Sequence, residues 1–310
     1  MGRAALLVAL VLFLLLPLAV DPYPLRVATV IFMWAALAGS WNLLAGYAGT
    51  VDLGPVVFHG IGAFVAGAGM VKLGLPFAVS LALAGAVAMV IAYLIGTPTL
   101  RLRGAYFAIG TLALAEAARQ LALAWDRLTG IPITGGSAGV SLPLGASYLM
   151  IYYVMLGLMA VSVAAGFWLR DSKFGYGLRA IGENDRLAEA SGVNIHQLKR
   201  RVYVGSALII ALTGGAAGYW LSYINATEVF GVSITLQMVV MTLLGGLGTP
   251  LGPLLGAAFL TLIAEFLGTR FVYHYLIGIG LIIVAISLFA PAGLSGLLDL
   301  ARRRRRRTPV

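Results

Sequence analysis

The chain reads as an all-α, polytopic helical membrane protein, and three observations predict it. First, 61% of its 310 residues are hydrophobic and only 10% are charged, with a mean hydropathy of +0.98. A soluble domain of this length has no core large enough to hide that much apolar surface. Second, many apolar runs approach or exceed the roughly 20 residues that a helix needs to cross a hydrocarbon layer. Third, the basic residues gather in a few polar stretches whose spacing along the chain suits one membrane face.

Taken in order, the apolar runs give about ten spans, at roughly 4–20, 27–46, 54–71, 77–97, 104–124, 148–169, 203–222, 233–248, 251–268 and 272–290. The first run, behind Arg3, reads either as a signal peptide or as a retained helix. A poor cleavage ending near Val20 favours retention. The third and eighth runs are short and Gly-rich, the pattern of broken or re-entrant helices. A turn-rich segment, Asp126 to Ala146, joins the fifth and sixth. The whole of 1–310 reads as a single transmembrane domain, with a polar loop at 170–201 and a basic tail at 301–310.

Charge sets the orientation. Arg3, Arg101, Arg103, the seven basic residues of 170–201 and the six arginines 302–307 make 16 of the 21 basic residues. Two predicted spans separate Arg103 from Arg170 and four separate Arg201 from the tail. Even numbers place all of them on one face, the cytoplasmic one, with both termini. The net charge of +10 is therefore a topology signal, and no nucleic-acid partner is predicted.

The loop 170–201 carries four acidic residues beside its seven basic ones. Within it, 185–191 reads as a short amphipathic helix. Asn184 or Asp185 is its N-cap, and Gly192 stands where a left-handed C-terminal cap falls. A capped helix inside a polar loop is a surface for another protein to grip.

Ionisable residues inside spans mark functional sites by default. Glu116 and Arg119, with Gln120 beside them, share one face of the fifth span. They read either as a structural ion pair between packed helices or as part of a pathway. Asn42 either lines a cavity or bonds a neighbouring helix, and Asp52 stands where it can cap the third span. Gly214/Gly218, Gly252/Gly256 and Ala63/Gly67 are small-xxx-small pairs that allow helices to approach closely. His59, His196 and His274 are isolated, cysteine is absent, and no metal-ligand spacing occurs. No GxxxxGK[ST], HExxH or nucleophile–base arrangement is present, so neither an enzyme nor a cofactor is predicted.

Six blocks, in order along the chain, resemble the LivM-type permease family of branched-chain amino acid ABC transporters. WNLLAGYAGTVDLGPVVFHGIGAF (41–64) is similar to the family's NLLxGYxGxxSLGxxxFxGIGAY, and RLRGAYFAIGTLALAE (101–116) to its RLRGxYFAIxTLAxxE. TGGSAGV (134–140) resembles an external TGGxxGI, and GYGLRAIGENDRLAEASGVN (175–194) a cytoplasmic coupling segment. LLGGLGTPLGPLLGAA (243–258) and LFAPAGLSGLL (288–298) resemble LGGxGxxxGPxxGA and FxPxGLxGLL. Asp52, His59 and Gly182 depart from the family, which has a small hydroxyl residue, a small or apolar residue and often a basic residue there.

The resemblance implies an ABC importer permease fold in the bacterial inner membrane. The partners would be a homologous second permease of the LivH type, two ATPase subunits and an extracytoplasmic binding protein, in membrane lipid. The coupling helix, Asn184 to Gly192, would dock on the ATPase with Arg179, Glu183, Asp185, Arg186 and Glu189 as charged contacts. Asn42, Asp52, His59, Glu116 and Arg119 are the candidates for the translocation path. Branched-chain amino acids are the first expectation for substrate, with urea or short amides as the alternative. An ion-coupled secondary transporter, with Glu116 as relay, is the competing class.

Overall fold

The computed structural model describes residues 11–18, 20–131, 133–143 and 147–270, with isolated positions at 280, 293, 294 and 296. Its helices are α1 (Pro22–Ala48), α2 (Val56–Lys72), α3 (Phe77–Thr99), α4 (Ala105–Thr129), α5 (Tyr148–Asp171), α6 (Lys173–Glu183), α7 (Asp185–Ala190), α8 (Ile195–Leu221), α9 (Ala226–Val229), α10 (Val232–Gly245) and α11 (Gly252–Arg270). Two short strands, β1 (Val140–Ser141) and β2 (Tyr223–Ile224), pair antiparallel.

Seven helical stretches among the described residues are long and apolar enough to cross a membrane, and Val56–Lys72 is a shorter apolar helix. Eight of the ten predicted spans coincide with these. Of the first predicted span, residues 11–15 are helical and Leu16–Leu18 form a 3-10 turn. Residues 1–10, the predicted tenth span, His274 and the basic tail lie outside the described residues. The predicted eighth span starts earlier than the sequence suggested: α9 and α10 share one apolar stretch, interrupted at Phe230 and Gly231.

Local signals account for the helix ends. Proline opens α1 and Gly49, at φ 61°, closes it in the left-handed region. Between α1 and α2 the chain turns back into the bundle. The Trp41 indole N–H donates to the Asp52 carbonyl at 2.7 Å, which sets Asp52 well above the end of α1. The short Gly-rich third span is therefore one unbroken helix rather than a broken or re-entrant one, and the re-entrant piece is the link before it.

α1 and α8 form the centre, with 67% and 72% of their apolar windows buried, against 22% for α4. The central crossing is made by glycine. A Cβ on Gly62 of α2 would collide with the Ala211 carbonyl of α8, and one on Gly214 of α8 with the His59 carbonyl of α2. Gly245 and Gly256 do the same between α10 and α11. In lipid no hydrophobic force drives helices together, so close backbone approach supplies the packing. Edge-to-face rings fill the space around it: Phe58 against Tyr203 at 5.4 Å, and Phe32 against Tyr152 at 5.5 Å.

The two ends of the bundle differ. At one end Arg103 of the turn before α4 shares a cleft with Glu183, Asn184 and Lys199, so the two basic stretches lie together, as the even span count requires. At the other end the segment 133–142 clasps the chain after α8. Val140 pairs with Ile224 and Ser141 with Tyr223, and the Tyr223 hydroxyl donates to the Ala138 carbonyl at 2.8 Å.

Candidate functional site

The polar segment folds as three consecutive helical pieces laid across one end of the bundle. Ser172 caps α6, its hydroxyl accepting from the Gly175 amide at 3.1 Å. Asn184 ends α6 and begins α7: its side-chain oxygen accepts from the Arg186 and Leu187 amides at 3.0 and 3.2 Å. The far end of α7 is a complete Schellman closure. Val193 N–H donates to the Ala188 carbonyl at 3.0 Å, Gly192 N–H to the Glu189 carbonyl at 2.9 Å, and Gly192 has φ 83°. Beneath it Ile181, Ala188 and Ile195 form a small core that takes in Val193, the apolar contact that accompanies this cap.

The expected docking charges divide into two sets. Glu183, Arg186 and Glu189 are exposed, and no salt bridge engages them among the described residues. Asp185 and Arg179 are half-buried and engaged within this chain. Asp185 pairs with Lys199 of α8 at 3.3 Å, and that lysine is nearly buried. Arg179 donates to the Arg170 carbonyl and lies over the Tyr176 ring at 4.8 Å. Both charges brace the segment against the spans. In their place the surface shows two side chains that the sequence reading passed over: Leu187, 66% exposed, and Tyr176, 60% exposed. An exposed leucine on a six-residue polar helix is the signal that would have found the first.

α4 carries the second group. Only Phe107, Thr111, Ala115 and Ala122 of its 25 residues are buried, a single stripe. The opposite side presents Glu116 and Arg119 in a two-point ion pair. Arg119 Nε lies 2.9 Å from Oε2 and Nη2 lies 2.6 Å from Oε1, with Gln120 donating to Oε1 at 2.8 Å. The pair is not wedged between helices of this chain, the structural alternative read from sequence: Glu116 is 48% and Arg119 25% exposed. From Ala105, Glu116 lies about 16 Å along the helix, near mid-depth of a hydrocarbon layer of about 30 Å.

The other three path candidates sit elsewhere, inside the bundle. Asn42 does bond a neighbouring segment. Its amide nitrogen donates to the Thr249 carbonyl at 3.0 Å, and its oxygen accepts from the Gly248 amide at 2.8 Å. Both ends of that side chain are committed to the α10–α11 loop. Asp52 accepts from the Gly54 amide at 2.8 Å, within the re-entrant link before α2. His59 Nδ1 lies 3.0 Å from the Val229 carbonyl and so carries the proton there, tying α2 to α9. The structure brings Glu116, Arg119 and Gln120 together and leaves Asn42, Asp52 and His59 as separate buried ties.

Residues 23–300 match the family described as branched-chain amino acid transport system / permease component. The chain is similar to the high-affinity branched-chain amino acid transport system permease protein LivM of Escherichia coli (strain K12), 26% identical over 93% of this chain and 74% of that protein. It is also similar to two sugar permeases. The galactose/methyl galactoside import permease protein MglC of Salmonella typhimurium is 29% identical over 64% of this chain and 60% of its own. The ribose import permease protein RbsC of Haemophilus influenzae is 30% identical over 41% of this chain and 42% of its own. No solved structure matches the chain.

Proposed function

Because this chain belongs to the branched-chain amino acid transport system / permease component family, we propose that it is one of two permeases in an ATP-driven importer of branched-chain or related hydrophobic amino acids. The observation that carries this reading is α7. It is a six-residue helix capped at both ends, braced from below by the Asp185–Lys199 pair, with Arg186, Leu187 and Glu189 turned outward beside Glu183 at the end of α6. A helix so short cannot hold its own shape in water. Its caps and bracing preserve a projecting surface for a partner, and without a P-loop in the sequence that partner supplies the ATP chemistry.

In this reading α6 and α7 dock on the ATPase, and the α4 face with Glu116, Arg119 and Gln120 lies toward the second permease, lining the path between them. A charged cluster at that depth is costly against lipid and is compatible with a water-filled path or a protein neighbour. Two ATPases, a LivH-type permease and an extracytoplasmic binding protein complete the complex in the inner membrane. Its polar 170–201 segment and both termini are cytoplasmic. Amino acids are favoured over sugars because the LivM relative aligns along most of this chain whereas RbsC and MglC align along parts of it.

The test is reconstitution of the chain with the permease, ATPases and binding protein encoded beside it. Leucine uptake that needs ATP and survives collapse of the proton gradient supports the reading. Uptake by this chain alone under an imposed gradient would establish a secondary transporter instead. Ribose or galactose uptake in the complete complex, with no leucine uptake, would move the substrate to the sugar class. Uptake of urea or a short amide in place of leucine would make it an amide carrier.

A further inference from the structure

We propose that Thr111 is a positioning residue that ties α4 to the coupling segment through the α1–α2 link, and that this link carries movement of the segment to the path-lining helix. The proposal rests on the permease reading above. Its starting point is a gap. The inner end of α4 and the coupling segment do not pack on each other: a cleft of about 390 Å³ separates Arg103, Gly104 and Ala108 from Gly182, Glu183 and Asn184. A third wall, Ala48 to Val51, is the end of α1 and the start of the link, and it touches both sides.

On the coupling side the contact is backbone on backbone. A Cβ on Gly182 would come 3.2 Å from the Tyr47 carbonyl oxygen and 3.3 Å from the Ala48 carbonyl carbon, and one on Gly49 would come 3.3 Å from Gly182 Cα. Gly182 replaces a residue that is often basic in the resembling family, and here no side chain stands between the two segments. On the α4 side the Leu53 amide donates to Thr111 Oγ1 at 3.0 Å, and a Cβ on Gly54 would lie 2.7 Å from the Thr111 carbonyl oxygen. Thr111 is fully buried, on the one stripe by which α4 holds to the bundle.

Between these contacts the link is latched to itself and to α1. Trp41 donates to the Asp52 carbonyl at 2.7 Å and the Gly54 amide to the Asp52 carboxylate at 2.8 Å. A segment held at that many points shifts as a piece, because close-packed contacts do not deform continuously. At its other end α4 is anchored to the outer clasp. Asp126 Oδ1 accepts from the Ile133 amide at 3.0 Å and from the Thr134 amide and hydroxyl at 2.9 and 3.0 Å. With the outer end anchored, the cleft open at the inner end and Thr111 between, displacement of the link tilts α4. That is the motion a path between two permeases requires.

Thr111→Val keeps the shape of the side chain and removes the acceptor; Thr111→Ser keeps the hydroxyl. Both variants are measured in the complete reconstituted complex for assembly, basal ATP hydrolysis and substrate moved per ATP. The expected result is that Thr111→Val assembles and hydrolyses ATP as wild type does while substrate moved per ATP falls about tenfold, the scale of one orphaned buried amide. Thr111→Ser restores the wild-type ratio. An assembled Thr111→Val complex with an unchanged ratio overturns the proposal. So does failure of both variants to assemble, which would make the residue structural only. A wild-type complex without ATP-driven uptake would sink the permease reading itself, so the two failures are told apart.

Discussion

α8 and α4 are both apolar helices of spanning length, yet one is the centre of the bundle and the other is barely attached to it. α8 has 72% of its window buried and meets α2 through Gly62 and Gly214, where backbone lies against backbone. α4 is held by the Phe107–Thr111–Ala115 stripe, the link before α2 and the outer clasp, and shows an ion pair to its surroundings. The difference teaches that length and hydropathy place a helix in the membrane without saying what it faces. Glycine at a crossing marks a helix pressed backbone to backbone on its neighbour. A sparse stripe with polar groups opposite marks one that this chain holds at few points.

The sharpest way to break this contrast is to add bulk to both helices. Gly62→Leu drives a side chain into the Ala211 carbonyl, and overpacking of this kind costs about 3 kcal/mol or more. The permease is expected to be lost from the membrane or recovered only as aggregate, measured as monodisperse yield in detergent. On α4 a Cβ at Gly110 meets only the end of the Leu102 side chain, and Gly110→Leu is expected to leave yield unchanged. Equal losses in both would erase the distinction between a scaffold helix and a mobile one.

Next in size is Asn42→Ala. It orphans the Gly248 amide and the Thr249 carbonyl in the α10–α11 loop, at about 1–3 kcal/mol for each group left unsatisfied. A lower melting temperature of the purified chain is expected. A transport defect without a drop in stability would instead return Asn42 to the path.

On α4, Glu116→Gln and Arg119→Gln are expected to leave the stability of the isolated chain unchanged, because the pair is open to its surroundings. Assembly with the second permease or transport is expected to fall in each variant, and a double substitution to recover part of the assembly. Loss of the isolated chain's thermal stability in either single variant would show that the pair belongs to the scaffold.

The smallest effect on stability and a large one on coupling are expected at α7. A Cβ at Gly192 meets nothing, so only the left-handed backbone opposes substitution. Gly192→Val is expected to lose ATPase subunits on purification or to lose substrate-stimulated hydrolysis. Gly192→Asn, which tolerates that region, is expected to keep both. Leu187→Asp and the reversal of Glu183 and Glu189 to Lys probe the exposed surface itself. Normal copurification with normal stimulated hydrolysis in all of them would remove this segment as the coupling surface.

Much of the polar segment 170–201 was legible in advance because its signals are local. A cap needs a side chain two or three residues from the amides it serves, and a left-handed turn needs glycine at one position. Asn184 and Gly192 could therefore be read directly. Arg179 and Asp185 could not, because their partners are the Arg170 carbonyl, the Tyr176 ring and Lys199, and charge alone does not say which way a side chain turns. Asn42 stands out as a polar residue inside an apolar run, Asp52 as a residue placed to cap the third span, and Asp52 and His59 as departures from the family pattern. The partners of Asn42 and His59, at Thr249 and Val229, depend on which segments the fold brings alongside, whereas Asp52 is met by the Gly54 amide two residues on.

By itself the sequence determined that the chain lives in a membrane, roughly where its helices run, that the basic stretches at 101–103 and 170–201 share one face and that a capped helix lies in the second of them. These follow from composition, run length, charge parity and turn chemistry, each set by residues close together in the chain. Only the tertiary structure decided that α2 starts inside the bundle behind a re-entrant link, that Glu116 and Arg119 look outward, and that Thr111 receives the Leu53 amide of that link. Those outcomes depend on how far one backbone can approach another, and that distance is set by pairs of residues, such as Gly62 with Ala211 and Gly49 with Gly182, that only the folded chain brings together.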